Sequence, residues 1–141
     1  MAGSGSITMS DTTLFKACGT TGDIRLLAAQ HVILGDIEAV GDVSLTATSG
    51  SITDADAVTT TNDTDVDVTA SGLRLWAGVG IGETVDHLEA SVDTVSARAT
   101  VGGIYLLESD GVTVGDVAVV FNRVGVTGSA TTDKSAVANN Q

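Results

Sequence analysis

A chain of 141 residues is long enough for one domain with its own core, and 43% hydrophobic residues argue against disorder. Only 3% are aromatic, so that core has to be built from Val, Ile, Leu and Ala. A net charge of −12 with only six Lys+Arg argues against nucleic acid and anionic membrane as partners, since both recruit cations, and it favours attraction of calcium.

Residues 1–21 are polar, with Leu14 and Phe15 as the bulky apolar pair, and read as an irregular entry segment. A strand pattern begins at Gly22, where Ile24, Leu26 and Ala28 share one face by period-two alternation. His31-Val32-Ile33-Leu34 is a second short strand. Gly35-Asp36-Ile37 and Gly41-Asp42-Val43 each open as a glycine turn, a polar residue and an inward β-branched one. Val43, Leu45 and Ala47 then point one way, and Ser44, Thr46 and Thr48 the other.

Gly50-Ser51-Ile52-Thr53 starts another strand, which runs into Asp54-Ala55-Asp56, and 59–63 is a polar connection. Asp65-Val66-Asp67-Val68-Thr69-Ala70 alternates without a fault, as a half-buried strand does. Leu73 and Leu75 continue it, with Arg74 and Trp76 outward. Residues 84–92 fit a short helix or a strand, because Val85, Leu88, Val92 and Val95 have helical spacing while strand-favouring residues surround them. A helix there favours a capped, self-contained domain, and a strand favours an open coil. Strict alternation makes 94–101 a strand, and 104–106, 112–114 and 117–121 follow. The solenoid is expected over 22–126, with 127–141 a polar tail.

Internal repetition decides the expected fold class. Val40-Gly-Asp-Val-Ser-Leu45 recurs as Val114-Gly-Asp-Val-Ala-Val119, and Ala47-Thr-Ser-Gly-Ser-Ile52 as Ala99-Thr-Val-Gly-Gly-Ile104. Units made of a glycine corner and a short strand bury a face only by stacking. The expectation is an all-β chain forming a β-solenoid, or parallel β-helix, of about six or seven rungs of roughly 20 residues. A β-sandwich is the alternative, disfavoured by the scarcity of aromatic plugs and of hairpin turns beyond Asp110-Gly111.

The segments Gly41-Asp-Val-Ser-Leu-Thr-Ala47, Gly78-Val-Gly-Ile-Gly-Glu83, Leu88-Glu-Ala-Ser-Val-Asp-Thr-Val-Ser-Ala97 and Gly102-Gly-Ile-Tyr-Leu-Leu-Glu-Ser-Asp-Gly111 carry a family likeness. Over residues 35–124 the chain resembles the β-strand-repeat, filamentous-haemagglutinin-like regions of giant bacterial surface and secreted adhesins. That resemblance implies an extracellular or cell-surface fibre acting as an adhesin, sheath or matrix element. Such regions belong to much longer proteins, so the chain is expected to be an excised piece or a subunit that builds length by polymerising.

Chemistry is sparse. Asp63, Asp65 and Asp67 fall on one face of an extended strand, and Asp54 and Asp56 form a second pair, a carboxylate set suited to calcium. The alternative is a solvated acidic face that deters edge pairing. The imidazoles His31 and His87 have no nucleophile motif, metal-ligand spacing or phosphate loop beside them, so no enzyme is expected. A carbohydrate-binding or polysaccharide-cleaving β-helix is the runner-up, with Trp76 and Tyr105 as stacking platforms for a surface glycan.

The single cysteine, Cys18, excludes an intramolecular disulfide and reads as a small hydrophobe. No run reaches the roughly 18 apolar residues of a membrane span, so membrane insertion is not expected. The opening Met-Ala-Gly-Ser-Gly-Ser is no secretion signal, so a secreted protein would carry its signal elsewhere or have lost it. Solenoid ends present unpaired backbone groups, and no capping helix is evident at either end. Head-to-tail stacking into a homopolymer is therefore expected.

Overall fold

A computed structural model describes residues 4–56, 65–124, 127–128 and 130–135. Among them there are thirteen strands and no helix, and the first eleven wind as a parallel β-solenoid. One stack contains β1 (Ile7–Thr8), β4 (Val32–Leu34) and β7 (Ile52–Asp54), and single bridges at Ile81 and Ile104 continue it. A second stack contains β2 (Leu14–Ala17), β5 (Asp36–Ala39), the first part of β8 (Val68–Ala77), the first part of β9 (Leu88–Ala99) and β10 (Leu106–Glu108). The third contains β3 (Ile24–Ala28), β6 (Asp42–Ala47), the remainders of β8 and β9, and β11 (Thr113–Val114). Ile7, Val32, Ile52, Ile81 and Ile104 lie in register, one per turn, so the coil has about five turns.

Parallel register places each inward side chain on the residue one turn away, about 4.8 Å distant. Like therefore meets like: Val43 pairs with Leu73 and Leu73 with Val95, while Ala47 pairs with Ala77 and Ala77 with Ala99. Val32, Val43, Leu45, Ile52, Leu73 and Ile81 have no exposed surface. Burial of each is worth about 1.5–3 kcal/mol, which explains how a core without aromatic rings holds the coil. Inward and outward faces fall as the alternation requires, with Ile24 and Ala28 buried and Arg25 and Leu27 exposed.

The solenoid is the expected architecture and the sandwich is not observed, but the coil has fewer turns than six or seven. Two features consume chain. Leu34 and Asp36 are separated by Gly35 alone, whereas Asp54 and Asp67, at the same corner one turn on, are separated by residues 55–66. After Val114 the chain leaves the coil, and β12 (Val119–Val124) pairs antiparallel with β13 (Ala130–Ser135). Residues 84–92 contain no helix. Glu83 and Asp86 bridge a turn, and β9 begins at Leu88, so the helical spacing is incidental to a strand. The segment 1–21 carries β1 and β2, which pair with β4 and β5, and β13 lies within 127–141.

Close approach of neighbouring turns leaves no room for a Cβ at several glycines, Gly35, Gly50 and Gly78 among them. Gly82 has φ +60, and a Cβ there would strike the Tyr105 carbonyl oxygen. Gly72 faces outward from β8, where a Cβ would meet Asp42 Oδ1 at 2.6 Å and Val117 Cγ1 at 3.0 Å. Buried Val117 and Val119 thus lie over the outer face of the third stack. Ser44, Thr46, Arg74 and Ser96, which point away from the solenoid core, are buried as well.

Candidate functional site

The corner between the first and second stacks gathers carboxylates from three consecutive strands. Asp54 ends β7, Asp67 immediately precedes β8, and Glu89 is the second residue of β9. Asp54 follows the register of Leu34, so a carboxylate takes the place that an apolar residue holds one turn earlier. Asp67 and Glu89 become neighbours because Val68 pairs with Ala90. Carboxylate oxygens of the three residues lie within 4.8 Å of one another. Asp67 and Glu89 are each only 5% exposed, and Asp54 is half-buried.

Local hydrogen bonds fix these groups. Asp67 Oδ2 accepts the Glu89 backbone N–H at 2.7 Å, and the Asp67 carbonyl accepts the Ile37 N–H at 2.7 Å. Asp54 Oδ1 accepts the N–H groups of Ala55 at 2.5 Å and Asp56 at 3.3 Å, a side-chain turn that starts the excursion after β7. Burial pushes the Asp67 carboxyl up to about 9, helped by its hydrogen bond to Asp54 and the nearby charges of Asp54 and Glu89; the Glu89 N–H opposes the shift. Asp36 is also raised, through desolvation and then the charges of Asp65, Asp11, Glu38 and Asp54. The proton that Asp67 retains relieves the repulsion among three carboxylates held so close together.

Of the residues expected to bind calcium, the fold brings together Asp54 and Asp67 and adds Glu89. Asp56 is half-buried beside Asp54, Asp65 is exposed with Oδ1 accepting its neighbour's N–H, and Asp63 lies outside the described residues. The expected single-face row does not form at Asp65 and Asp67, because β8 starts only at Val68. Glu89 comes from a strand more than twenty residues away, and only the inter-turn register identifies it. An oxygen-only donor set accepts a proton or a hard divalent cation.

Other polar side chains among the described residues bond within the coil. Arg74 Nη1 donates to Ser44 Oγ at 3.2 Å and Thr46 Oγ1 at 3.4 Å, and burial followed by the charge of Arg25 holds its pKa below the usual value. Trp76 is half-buried beside Arg98 in register, and Tyr105 packs on His87 with ring centroids 6.2 Å apart. The two aromatic residues lie on different parts of the coil, Trp76 in β8 and Tyr105 after the Ile104 bridge. At the last turn, Glu108 Oε1 accepts the Val92 N–H at 2.9 Å, and Oε2 accepts those of Asp110 at 3.2 Å and Gly111 at 2.6 Å. These bonds, Val92 first, hold the Glu108 carboxyl below the usual range.

Fold and site together define a parallel β-solenoid with a carboxylate-lined corner and an antiparallel hairpin after its last turn. The chain matches no family model, no curated protein and no solved structure.

Proposed function

We propose that the protein is a structural and adhesive element of a bacterial exterior, acting through its surface and through end-to-end assembly rather than through catalysis. The carrying observation is the pairing at the two ends of the coil. Among the described residues, β1, β2 and β3 are hydrogen-bonded to neighbouring strands on one side only, and so are β10 and β11. Such edges template the addition of further strands. A subunit stacking there makes a heterologous contact that repeats without closing, and the product is a filament. The likeness to filamentous-haemagglutinin-like repeats agrees with a fibre at the cell surface, and a surface glycan is the partner class for its adhesive role.

Light scattering over a concentration series with negative-stain electron microscopy tests this reading. Growing mass and fibres are expected, and a monomer at high concentration without fibres overturns it. A glycan array tests the adhesive role.

A calcium-dependent form of the same role has one observation in its favour, the convergence of Asp54, Asp67 and Glu89 within 4.8 Å. A rise in melting temperature with calcium, reversed by chelation and absent in Asp67→Asn, is the expected signature. An unchanged melting temperature removes it.

A further inference from the structure

End-to-end assembly specifies that ends meet, but not in which order or register; the following rests on that reading and deepens it. Both ends of the coil carry exposed large apolar side chains, Leu14, Phe15 and Leu27 on the first turn and Ile104, Leu107 and Val114 on the last, while Val40, Val79 and Val85 are exposed on the turns between. Following the strand register through the molecule puts these residues into shared columns. Ile104 stands in the column of Ile81, Ile52, Val32 and Ile7. Val114 stands in that of Val95, Leu73, Val43 and Ile24. Leu107 pairs with Glu89, and the same column passes through Asp67 and Asp36 to Leu14.

That last column is the most informative. Its three middle members are acidic and its two end members are leucines, each 49% exposed. An end that faced only water would have no need of leucine where the neighbouring turns carry carboxylates. Apolar residues at both termini of a column are accounted for when each terminus meets the other.

Charge points the same way. From Val101 to Val117 the chain carries Glu108, Asp110 and Asp116 and no cation, whereas from Ser4 to His31 Asp11 and Asp23 are accompanied by Arg25 and by Lys16, the latter paired with Glu38 of the next turn. Two acidic ends facing one another would repel, and the acidic end against the balanced end would not.

We infer that the last turn of one copy accepts the first turn of a second copy of this chain by parallel strand addition. In this register Ile104 stacks on Ile7, Leu107 on Leu14 and Val114 on Ile24, continuing the columns across the junction. β10 pairs with the second copy's β2, and β11 with its β3. Corner follows corner as well: Val101 N–H and Gly102 N–H reach Val79 O, Val79 N–H reaches Gly50 O, and Gln30 N–H reaches Gly5 O. The exposed Val101 of one copy therefore faces the corner at Gly5 of the next, where a shallow groove of about 320 Å³ opens between Ser4–Ile7 and Leu27–Ala29. Glu108 falls opposite Phe15, and its carboxylate is turned back onto backbone N–H groups of the preceding turn, at Val92, and of its own turn, at Asp110 and Gly111.

Disulfide trapping in the full chain tests the register. In a Cys18→Ser background, Leu14→Cys and Leu107→Cys together place two thiols in adjacent parallel strands, about 4.8 Å apart between Cα atoms, within disulfide range. Both positions are half-exposed, so the fold tolerates them, and circular dichroism under reducing conditions verifies this. The double variant is expected to give a ladder of oxidised oligomers, and an equimolar mixture of the two single variants a dimer. Lys16→Cys with Leu107→Cys is two residues out of register and is expected to give at least tenfold less product. Ile104→Asp is expected to abolish assembly while leaving the monomer's melting temperature within a few degrees. Assembly by light scattering without the Leu14–Leu107 cross-link overturns the register and leaves end-to-end assembly standing. Dimers from Leu107→Cys alone mean that like ends meet, which also overturns it. Absence of any assembly overturns both.

Discussion

Val40–Leu45 and Val114–Val119 carry nearly the same six residues, Val-Gly-Asp-Val followed by Ser-Leu or Ala-Val, and the chain uses them oppositely. The first runs into β6, where Val43 and Leu45 lie in the solenoid core with β3 on one side and β8 on the other. The second pairs with β9 only as far as Val114 and then leaves the coil, so that Val117 and Val119 bury themselves over the outer face of the third stack. A local pattern thus decides which side chains want burial, and the presence or absence of a further turn decides where they find it.

The largest effect separating the two regions is expected from truncation. Leu45→Ala opens a cavity between turns that cannot collapse, and is expected to cost about 2–5 kcal/mol in urea unfolding. Val119→Ala, on the outer face, is expected to cost about half as much or less, because the solenoid core is intact beneath it. Equal losses would mean that the outer-face segment and the coil form one cooperative core.

Gly72→Val targets the place on β8 against which Val117 rests. The added side chain meets Asp42 and Val117, so a loss of about 1–3 kcal/mol is expected from overpacking. Hydrogen exchange should rise at 115–120 and remain slow at Val43 and Leu45. Acceleration at both sites would break the distinction.

Carboxylates extend the comparison between the middle of the coil and its last turn. Asp67, between turns, has a folded pKa raised from 3.8 to about 9. The native state therefore holds a proton that the unfolded chain has released. The associated stability is complete below about pH 4 and is lost as pH rises towards 9. Asp67→Asn keeps an acceptor for the Glu89 N–H and removes the charge. It is expected to gain about 1 kcal/mol or more over wild type at pH 9 and to flatten the decline from pH 5 to 9, as read by urea midpoints. A wild-type decline that survives the substitution would place the buried proton elsewhere.

Glu108, at the coil's end, has the opposite sign. Its lowered pKa means stability present above the unfolded value of 4.5 and lost as pH falls through the folded one. Because Glu108 is only half-buried and glutamine keeps one acceptor oxygen for the backbone N–H groups of Val92, Asp110 and Gly111, Glu108→Gln is expected to cost less than about 0.5 kcal/mol at pH 7, the smallest effect of the set. Carboxyl NMR titration checks the direction directly, and a value above 4.5 contradicts the effect of these backbone hydrogen bonds.

Much of the coil was legible in residues alone. Alternation at Ile24, Leu26 and Ala28, at Val43, Leu45 and Ala47, and at Leu73 and Leu75 gives strand faces without any tertiary knowledge, because side-chain direction in a strand depends only on parity. The acid corner was half legible. Asp54 and Asp67 are conspicuous in sequence, but alternation at 65–70 puts Asp65 and Asp67 on one strand face, whereas the strand starts at Val68. Glu89, within a stretch equally suited to helix or strand, gave no sign of joining them.

By itself, then, the sequence determined the parity of each strand, the small-residue core and the need to stack, all of which are local or compositional. Only the tertiary structure decided the five turns, the neighbours across them and the departure after Val114. Register between turns depends on how much chain each corner carries. The twelve residues of 55–66, against Gly35 alone at the same corner one turn earlier, move every later residue onto a partner that no local pattern encodes.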